Sequence, residues 1–306
     1  MMATPTFALL VPCKNGARFL PRLFASVRAQ TRPFDEIWVF DDGSDDDSSK
    51  VAAALGARVL RAEKSLGPSA ARNRLTAACV CDWIHFHDAD DTMDPHYLER
   101  VATRVKPGID VVVCDMLWIE EETGKEENRW TYDGAALARH PTAYLLVNTI
   151  GGINGLYRRS ALVAVGGFDE TLRFWEDMEI NQRLGQRGTG TEVINENLVT
   201  AYRHRCGYSN SNLGEVWRVK LQIMDRLHAK ADAALLATIA TEAETIADRF
   251  AVMNLWSDVP TALTLARQAG GNPPTTNNTA LRLLKYFLPD AWTFRLQYRL
   301  RKSRAR

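Results

Sequence analysis

The sequence predicts an α/β protein: a mostly parallel sheet flanked by helices, with a helical C-terminal extension. Short apolar runs alternate with segments of helical periodicity from Phe7 onward, at a spacing that suits βαβ units. Two of those runs end abruptly in clusters of aspartate, which a parallel sheet would bring to one edge. From Glu215 the strand-like runs give way to alanine-rich helical stretches. Residues 1–212 are therefore expected to form the α/β domain, and residues 213–306 a helical region with a basic amphipathic tail.

Residues 7–11 are an apolar run closed by Pro12, and read as a first buried strand. Lys14-Asn15-Gly16 makes a turn, after which Leu20, Leu23, Phe24 and Val27 recur at helical spacing. Residues 36–40, aromatic and β-branched, form a second strand that runs into Asp41-Asp42-Gly43-Ser44-Asp45-Asp46-Asp47-Ser48-Ser49. Gly43 allows a tight turn there, and Asp45 or Ser48 is expected to cap a helix starting near Lys50. Val59-Leu60 is a brief third strand. Gly67-Pro68-Ser69 opens a helix carrying Arg72 and Arg74. Residues 83–86 are a fourth strand, ending in His87-Asp88-Ala89-Asp90-Asp91. Asp94-Pro95 then marks the next helix start.

After Pro107 the pattern changes. Residues 111–114 read as a buried strand, and residues 117–119 and 129–131 flank a polar loop in a hairpin excursion. Gly151-Gly152-Ile153-Asn154-Gly155 leads into a strand at Leu156-Tyr157, and residues 160–165 form a short helix ended by Gly166-Gly167. Phe174-Trp175-Glu176-Asp177 precede a helix through Ile180 and Leu184 that Gly188 stops. Residues 198–201 are strand-like. Residues 207–214, rich in Ser, Asn and Gly, suit a loop that closes over a ligand, or a plain linker. Val216, Trp217, Leu221, Met224 and Leu227 give a helical stripe. Further helices run through Trp256 and over residues 260–269.

Composition narrows the function classes. The chain has 306 residues, 46% apolar and 25% charged, as expected of a globular protein with a substantial core. A formal net charge of +1 provides no global field for nucleic acid, so none is expected as a partner. The charge is uneven, because residues 281–306 carry eight Lys/Arg against one Asp. With Leu283, Phe287, Trp292, Phe294 and Tyr298 interleaved, this tail suits an anionic membrane surface, or packing on the rest of the fold with a frayed basic end. Cys13, Cys79, Cys81, Cys114 and Cys206 are scattered with no CxxC pair. That argues against a disulfide framework and a structural zinc site, and reduced thiols fit a cytoplasmic setting. There is no signal-peptide pattern and no apolar run of about 18 residues, so neither a leader nor a membrane span is expected.

The acid clusters carry the chemistry. In open α/β sheets ligands bind beyond the carboxyl ends of the strands. Several carboxylates there raise one another's pKa unless a cation sits among them. A hard divalent ion with oxygen ligands removes that cost and can hold a substrate's phosphates as well. The plainer alternative is a solvated acidic turn with Asp94 as a helix cap. Two such clusters on one rim, with Arg72 near them, suit a phosphate-bearing sugar donor. Competing phosphate motifs are missing: there is no GxxxxGK[ST], and no GxGxxG follows the first strand. Glu176 and Asp177 sit at a helix start, where the dipole favours ionised acid while aromatic neighbours raise the pKa. A carboxylate so placed can act as a general base, or simply cap the helix.

Taken together the motifs resemble glycosyltransferase family 2. They are Val11-Pro12-Cys13-Lys14-Asn15, Asp41-Asp42-Gly43-Ser44, Gly67-Pro68-Ser69-Ala70-Ala71-Arg72-Asn73, Asp88-Ala89-Asp90-Asp91, Gly166-Gly167-Phe168-Asp169-Glu170 and Glu176-Asp177, in that family's order and rough spacing from about Phe7 to about His204. The resemblance implies a Rossmann-like GT-A fold for the catalytic domain, a nucleotide-sugar donor, a Mn2+ or Mg2+ ion, and inversion at the anomeric carbon. It implies a UDP-sugar donor, a glycan or lipid-linked acceptor and a place in cell-envelope polysaccharide assembly, at the inner face of the membrane if the tail binds there. By position, Pro12 and its neighbours would line the base pocket. Asp42 with Asp41 would meet the base, Arg72 the base or diphosphate, and Asp90 the ribose and sugar. Asp91 would ligate the metal, with Asp90 beside it and His204 as a further candidate, unless His204 is part of an exposed basic turn. Asp177 would be the catalytic base and Glu176 its support toward the acceptor. Lys14 departs from the aromatic residue many members carry, and would reach phosphate or point to water. Two rivals are a nucleotidyltransferase, for which Lys14-Asn15-Gly16-Ala17-Arg18 is a thin signature, and a non-catalytic nucleotide- or carbohydrate-binding module, which would not need Asp177.

Overall fold

The apolar runs become the first half of a sheet. In the computed structural model, which describes residues 4–204, 212–273 and 290–304, strands β1 (Phe7–Cys13), β2 (Glu36–Asp41), β3 (Arg58–Arg61) and β4 (Trp83–Phe86) alternate with helices α1 (Leu20–Arg28), α2 (Ser48–Ala54) and α3 (Pro68–Ala78). β1 pairs in parallel with β2 on one side and β4 on the other, and β2 pairs in parallel with β3. Phe7, Leu9 and Val11 share a core layer with Leu20, Leu23 and Phe24 of α1, while Ala8 and Leu10 share the opposite layer with Ala71 and Leu75 of α3. Both faces are covered, so β1 reads as an unbroken apolar run. Pro12 costs no ladder bond. The Leu10 carbonyl accepts toward β4 and the Cys13 carbonyl toward β2, so Pro12 falls on the β4 side, beyond the point where β4 has ended.

The second half is mixed. β5 (Thr92–Met93), α4 (Tyr97–Ala102), β6 (Ile109–Glu120), β7 (Glu126–Trp130), α5 (Gly134–Arg139), α6 (Pro141–Val147), β8 (Gly155–Arg158), α7 (Arg159–Ala164), α8 (Glu176–Gln186) and β9 (Gly190–Arg203) follow in order. The sheet runs β3-β2-β1-β4-β8-β6-β9-β5, with β7 paired to β6. Parallel pairing therefore holds from β3 to β4 and between β6 and β9, whereas β8, β5 and β7 run antiparallel to their neighbours. Residues 111–114 and 117–119, separate runs in the sequence, are one strand, β6, whose register against β9 shifts around Asp115.

Two caps differ from expectation. The helix expected near Lys50 starts at Ser48, with Asp47 at its N-cap and no side-chain cap bond. Ser48 instead accepts from the Gly16 amide at 2.9 Å, tying the α1 entry to the α2 entry. Asp94 accepts from His96 N at 2.8 Å, while His96 itself occupies the N-cap of α4.

The chain divides into two compact units, Met1–Gly207 and Tyr208–Arg306. The second contains α9 (Leu213–His228), α10 (Ala233–Val252), α11 (Val259–Gln268) and α12 (Asp290–Arg304). Leu221, Met224 and Leu227 of the expected stripe are buried. Lys220 is buried too, and its ammonium pairs with Glu242 of α10 at 2.7 Å, which removes the cost of an isolated buried charge. In α12, Phe294 is buried, and Tyr298 meets Trp256 edge to face at 5.5 Å. One face of the tail therefore packs within this unit, while Trp292 stays exposed. Residues 281–289 of the expected amphipathic tail, Cys206, and residues 207–211 of the expected loop lie outside the described residues. No described helix is long and apolar enough to cross a membrane.

Candidate active site

β2 and β4 both run parallel to β1, so their carboxyl ends share one edge, two strand spacings or roughly 10 Å apart. At the end of β2, Asp41 is fully buried. Its Oδ1 accepts from Ser44 N at 2.9 Å, its Oδ2 accepts from the Ser49 hydroxyl, and Arg61 lies 3.5 Å away. Burial pushes the Asp41 carboxyl up, but the serine bonds and then Arg61 outweigh it and hold the pKa below the ordinary value. Asp41 thus holds the turn that presents Asp42. Asp42 accepts from Ser65 Oγ at 2.6 Å and Gly67 N at 3.0 Å on Oδ2, and from Leu66 N at 2.6 Å on Oδ1. A carboxylate offers about four acceptor positions, so one remains, on Oδ1. The β1–α1 turn is stitched alongside. Asn15, at φ 52°, donates from its amide to Ser44 Oγ and accepts from Asp45 N, both at 2.9 Å. Pro12 is half-buried at this edge and Lys14 is exposed.

At the end of β4 the three aspartates separate. Asp91 is buried, and its Oδ1 accepts from Tyr202 N of β9 at 2.8 Å. Burial first, then Asp90 and Asp88, push its pKa well above the ordinary value, against the Tyr202 amide and Arg22. Asp90 is half-buried, and its Oδ2 lies 3.2 Å from His204 Nε2. That nitrogen is buried, and its approach to Asp90 is an ion-pair contact only, with no hydrogen-bond partner for it among the described residues. Arg22 of α1 braces the turn. It donates to the Asp90 carbonyl, makes two bonds to Glu121 at 2.8 and 3.0 Å, and lies 3.9 Å over the Tyr202 ring.

These donors fit a hard divalent ion. Asp90 and His204 present an oxygen and an orphaned imidazole nitrogen side by side, and the like-charge stress on Asp91 is what a nearby cation relieves. Among the described residues no third His, Cys, Asp or Glu ligand atom joins that pair within 4.8 Å. An ion held there would take its other ligands from phosphate and water, as magnesium and manganese commonly do. Asp91, expected as the principal ligand, has one oxygen committed to the β9 backbone.

The third part is at α8. Its N-cap is Trp175, in the left-handed region at φ 62°, so the backbone turns sharply just ahead of Glu176 and Asp177. Arg72, buried in the middle of α3, donates to Glu176 Oε1 at 2.7 Å and contacts Asp88 Oδ1 at 3.3 Å. Burial lowers the Arg72 pKa, but Glu176 and Asp88 raise it more, so it stays charged. Its Nε is buried and has no hydrogen-bond partner among the described residues. Asp177 accepts from Met178 N at 2.7 Å. Burial, then the Glu176 charge, raise its pKa from 3.8 to about 7, against Met178 N and Arg72, with Asp88 adding to the rise. Asn73, next to Arg72, holds the glycine motif. It accepts from Phe168 N at 2.8 Å and donates to Phe168 O and Glu170 Oε1 at 2.9 Å.

The sequence-derived residues therefore fall into one connected network. Asp177, Glu176, Arg72, Asp88, Asp90, Asp91 and His204 are linked by contact or by mutual charge, and Asp42 anchors the loop from which α3 starts. Asp41 is brought to the edge but its carboxylate serves the turn. Asp88, Arg22 and Asn73 are structural partners that sequence reasoning left without a role. Asp88 could have been read from the acid run. Arg22 carries no local signal.

A mixed α/β sheet with two acid-tipped strands, and a buried arginine joining one of them to an acidic helix start, is the arrangement of a GT-A sugar transferase. The model of the family described as Glycosyl transferase family 2 matches residues 8–166. The chain belongs to that family. Succinoglycan biosynthesis protein ExoU of Rhizobium meliloti is 28% identical over 278 residues, covering 81% of this chain and 75% of that protein. The pre-mycofactocin glycosyltransferase of Mycobacterium tuberculosis is 30% identical over 188 residues, 59% of this chain, and that match spans only 39% of the mycobacterial protein. Among solved structures, S. aureus TarS 1–349 in complex with UDP-GlcNAc superposes with a TM-score of 0.59 at 15% identity, over 90% of this chain and 95% of that one. Mannosyltransferase PcManGT from Pyrobaculum calidifontis, in complex with GDP-Man and Mn2+, gives 0.60 at 16% identity, over 97% and 85%. At such identities the likeness is one of fold. Glu176 and Asp177 lie beyond the family match.

Proposed function

We infer that this chain is an inverting glycosyltransferase that moves a sugar from a nucleoside-diphosphate sugar to an acceptor hydroxyl, with Asp177 as general base. One observation carries the reading. A carboxyl raised to about 7 stands at a helix start, and its neighbour Glu176 is paired with Arg72, which also contacts Asp88 at the acidic strand end. A base works best with a pKa near the operating pH. Asp177 takes the acceptor proton as the oxygen attacks the anomeric carbon, from the face opposite the departing diphosphate. Glu176 holds Asp177's pKa up and, bonded to Arg72, is fixed against the acceptor side. Arg72 carries the buried positive charge nearest the acids, and its unbonded Nε is a donor for the diphosphate. Holding donor and acceptor in line supplies much of the rate.

The remaining acceptor position on Asp42 suits the imide N–H of a uracil, with Pro12 beside it and Lys14 at the open rim. UDP is the proposed nucleotide, in keeping with the UDP-GlcNAc complex of TarS. Asp90 and His204 would hold a Mn2+ or Mg2+ ion, with Asp91 behind them, and such an ion supplies positive charge to a leaving diphosphate. The acceptor is proposed to be a glycan or lipid-linked glycan of the cell envelope. The names of ExoU and of minor teichoic acid biosynthesis protein GgaA of Bacillus subtilis support that class. Exposed Trp292 on α12, with the basic residues around it, supports contact with an anionic membrane.

The test is a screen of nucleotide sugars with Mn2+ for metal-dependent thermal stabilisation, followed by product analysis with the best donor. A UDP-sugar should raise Tm, since a ligand of the native state alone stabilises it. The product should carry the inverted anomeric configuration, and Asp177→Asn should bind donor without transfer. Retention of configuration, or transfer by Asp177→Asn at the parent rate, overturns the mechanism.

A further inference from the structure

We propose a second metal site, for zinc or a similarly thiophilic divalent ion, at the edge of the sheet opposite the acid clusters. Cys79 is the C-cap that follows α3, Cys81 stands just before β4, and Glu36 opens β2. All three therefore lie at the amino ends of the parallel strands. One ligand atom from each lies within 4.8 Å of the others. Two thiolates on one tetrahedral zinc, each at about 2.3 Å, stand about 3.8 Å apart, so the site needs only a small closure. Both cysteines are buried, yet Val80 between them is 79% exposed. The turn is thus at the surface with the two sulfurs beneath it, so an ion enters by a local opening of this turn.

The surroundings suit a cation. Two thiolates and a carboxylate bring three negative charges; a divalent ion neutralises two, and Arg58, 2.8 Å from Glu36, the third. Glu36 is oriented by Trp38 Nε1 at 3.1 Å and Val80 N at 3.4 Å, the kind of outer support metal-bound carboxylates have. Burial raises the thiols, Cys79 to about 12, so ion binding releases their protons to water and leaves both sulfurs as thiolate ligands. Three protein ligands leave the fourth position to water. Sulfur donors select zinc over magnesium or manganese, so this site and the oxygen-rich edge take different ions. The Cys-x-Cys spacing conceals the site in the sequence, because its third ligand comes from β2. A bound ion would pin the end of α3, whose middle carries Arg72, to the start of β2.

The probe is Cd2+ added to the full chain under saturating Mg2+, read by thiolate-to-cadmium charge-transfer absorption, with Zn2+ as competitor. One equivalent per chain is expected, with about two protons released per ion. Cys79→Ser and Cys81→Ser should each abolish the band, Glu36→Gln should weaken binding about tenfold, and Cys13→Ser and Cys206→Ser should leave it intact. Absence of a band, its survival in Cys79→Ser, or its loss in Cys206→Ser overturns the site. Should the serine variants fail to fold, alkylation of the unaltered protein decides. Zn2+ should slow modification of Cys79 and Cys81, and equal modification with and without Zn2+ refutes the proposal.

Discussion

Changing Glu176 to glutamine isolates the charge that tunes the proposed base. Asp177 is raised from 3.8 to about 7, with burial the largest cause and the Glu176 carboxylate the next. The substitution removes that second cause. It also breaks the 2.7 Å pair with Arg72, leaving the guanidinium freer to pull Asp177 down, so both changes act in the same direction. Burial remains, and the pKa does not return to 3.8. The expected result is a shift of about one unit toward acid, from about 7 to about 6. At pH 6 the ionised fraction of Asp177 would then rise from about a tenth to about a half.

The assay is kcat/KM for the acceptor against pH at saturating donor. For a base that must be ionised, the rate climbs with pH and levels off above the pKa. The parent should show its rising limb near pH 7 and Glu176→Gln near pH 6, with a lower plateau because a weaker base transfers the proton less readily. A limb that stays in place, or moves toward alkaline pH, would show that Asp177 is not the titrating group or that Glu176 does not set its pKa.

Other outcomes follow from the same geometry. Asp177 is raised on folding, so its contribution to stability is fully present below about 3.8 and is lost as pH rises through about 7. Asp177→Asn should therefore melt at or above the parent at pH 8, with the gap shrinking toward acid, in parallel thermal scans; a lower Tm at pH 8 alone contradicts the raised pKa. Gly167 has φ +74°, and a Cβ there would stand 2.5 Å from Asn73 Oδ1. Gly167→Ala should cost about 1–3 kcal/mol in urea unfolding, and an unchanged midpoint would mean the Asn73 lock carries no strain. His204→Ala should raise the Mn2+ concentration that half-saturates donor binding by roughly tenfold, measured calorimetrically; an unchanged value would remove His204 from the ion's surroundings.

What was legible in the sequence is what neighbours along the chain decide. β1 shows itself because both of its faces are buried, and the turns after β2 and β4 because Gly43 and the aspartates have few other uses there. β6 looks like two strands because Asp115 interrupts its apolar run, at the place where its register against β9 shifts. The site's finer chemistry belongs to residues brought in from afar. Asp88, Asp90 and Asp91 look interchangeable as a run of acids, yet each has a different partner: Arg72 from α3, His204 from the end of β9, and the Tyr202 amide from β9 itself. Likewise Arg22 reaches the Asp90 carbonyl and Glu121 from α1, a convergence no spacing rule contains. The acid run supplies the charge, and the return of β9 past it decides which carboxylate is engaged by the backbone and which faces His204. A chain ending before β9 would keep Asp-Ala-Asp-Asp intact but lose both the amide that engages Asp91 and the imidazole beside Asp90, and the same residues would then be the solvated turn of the plainer reading.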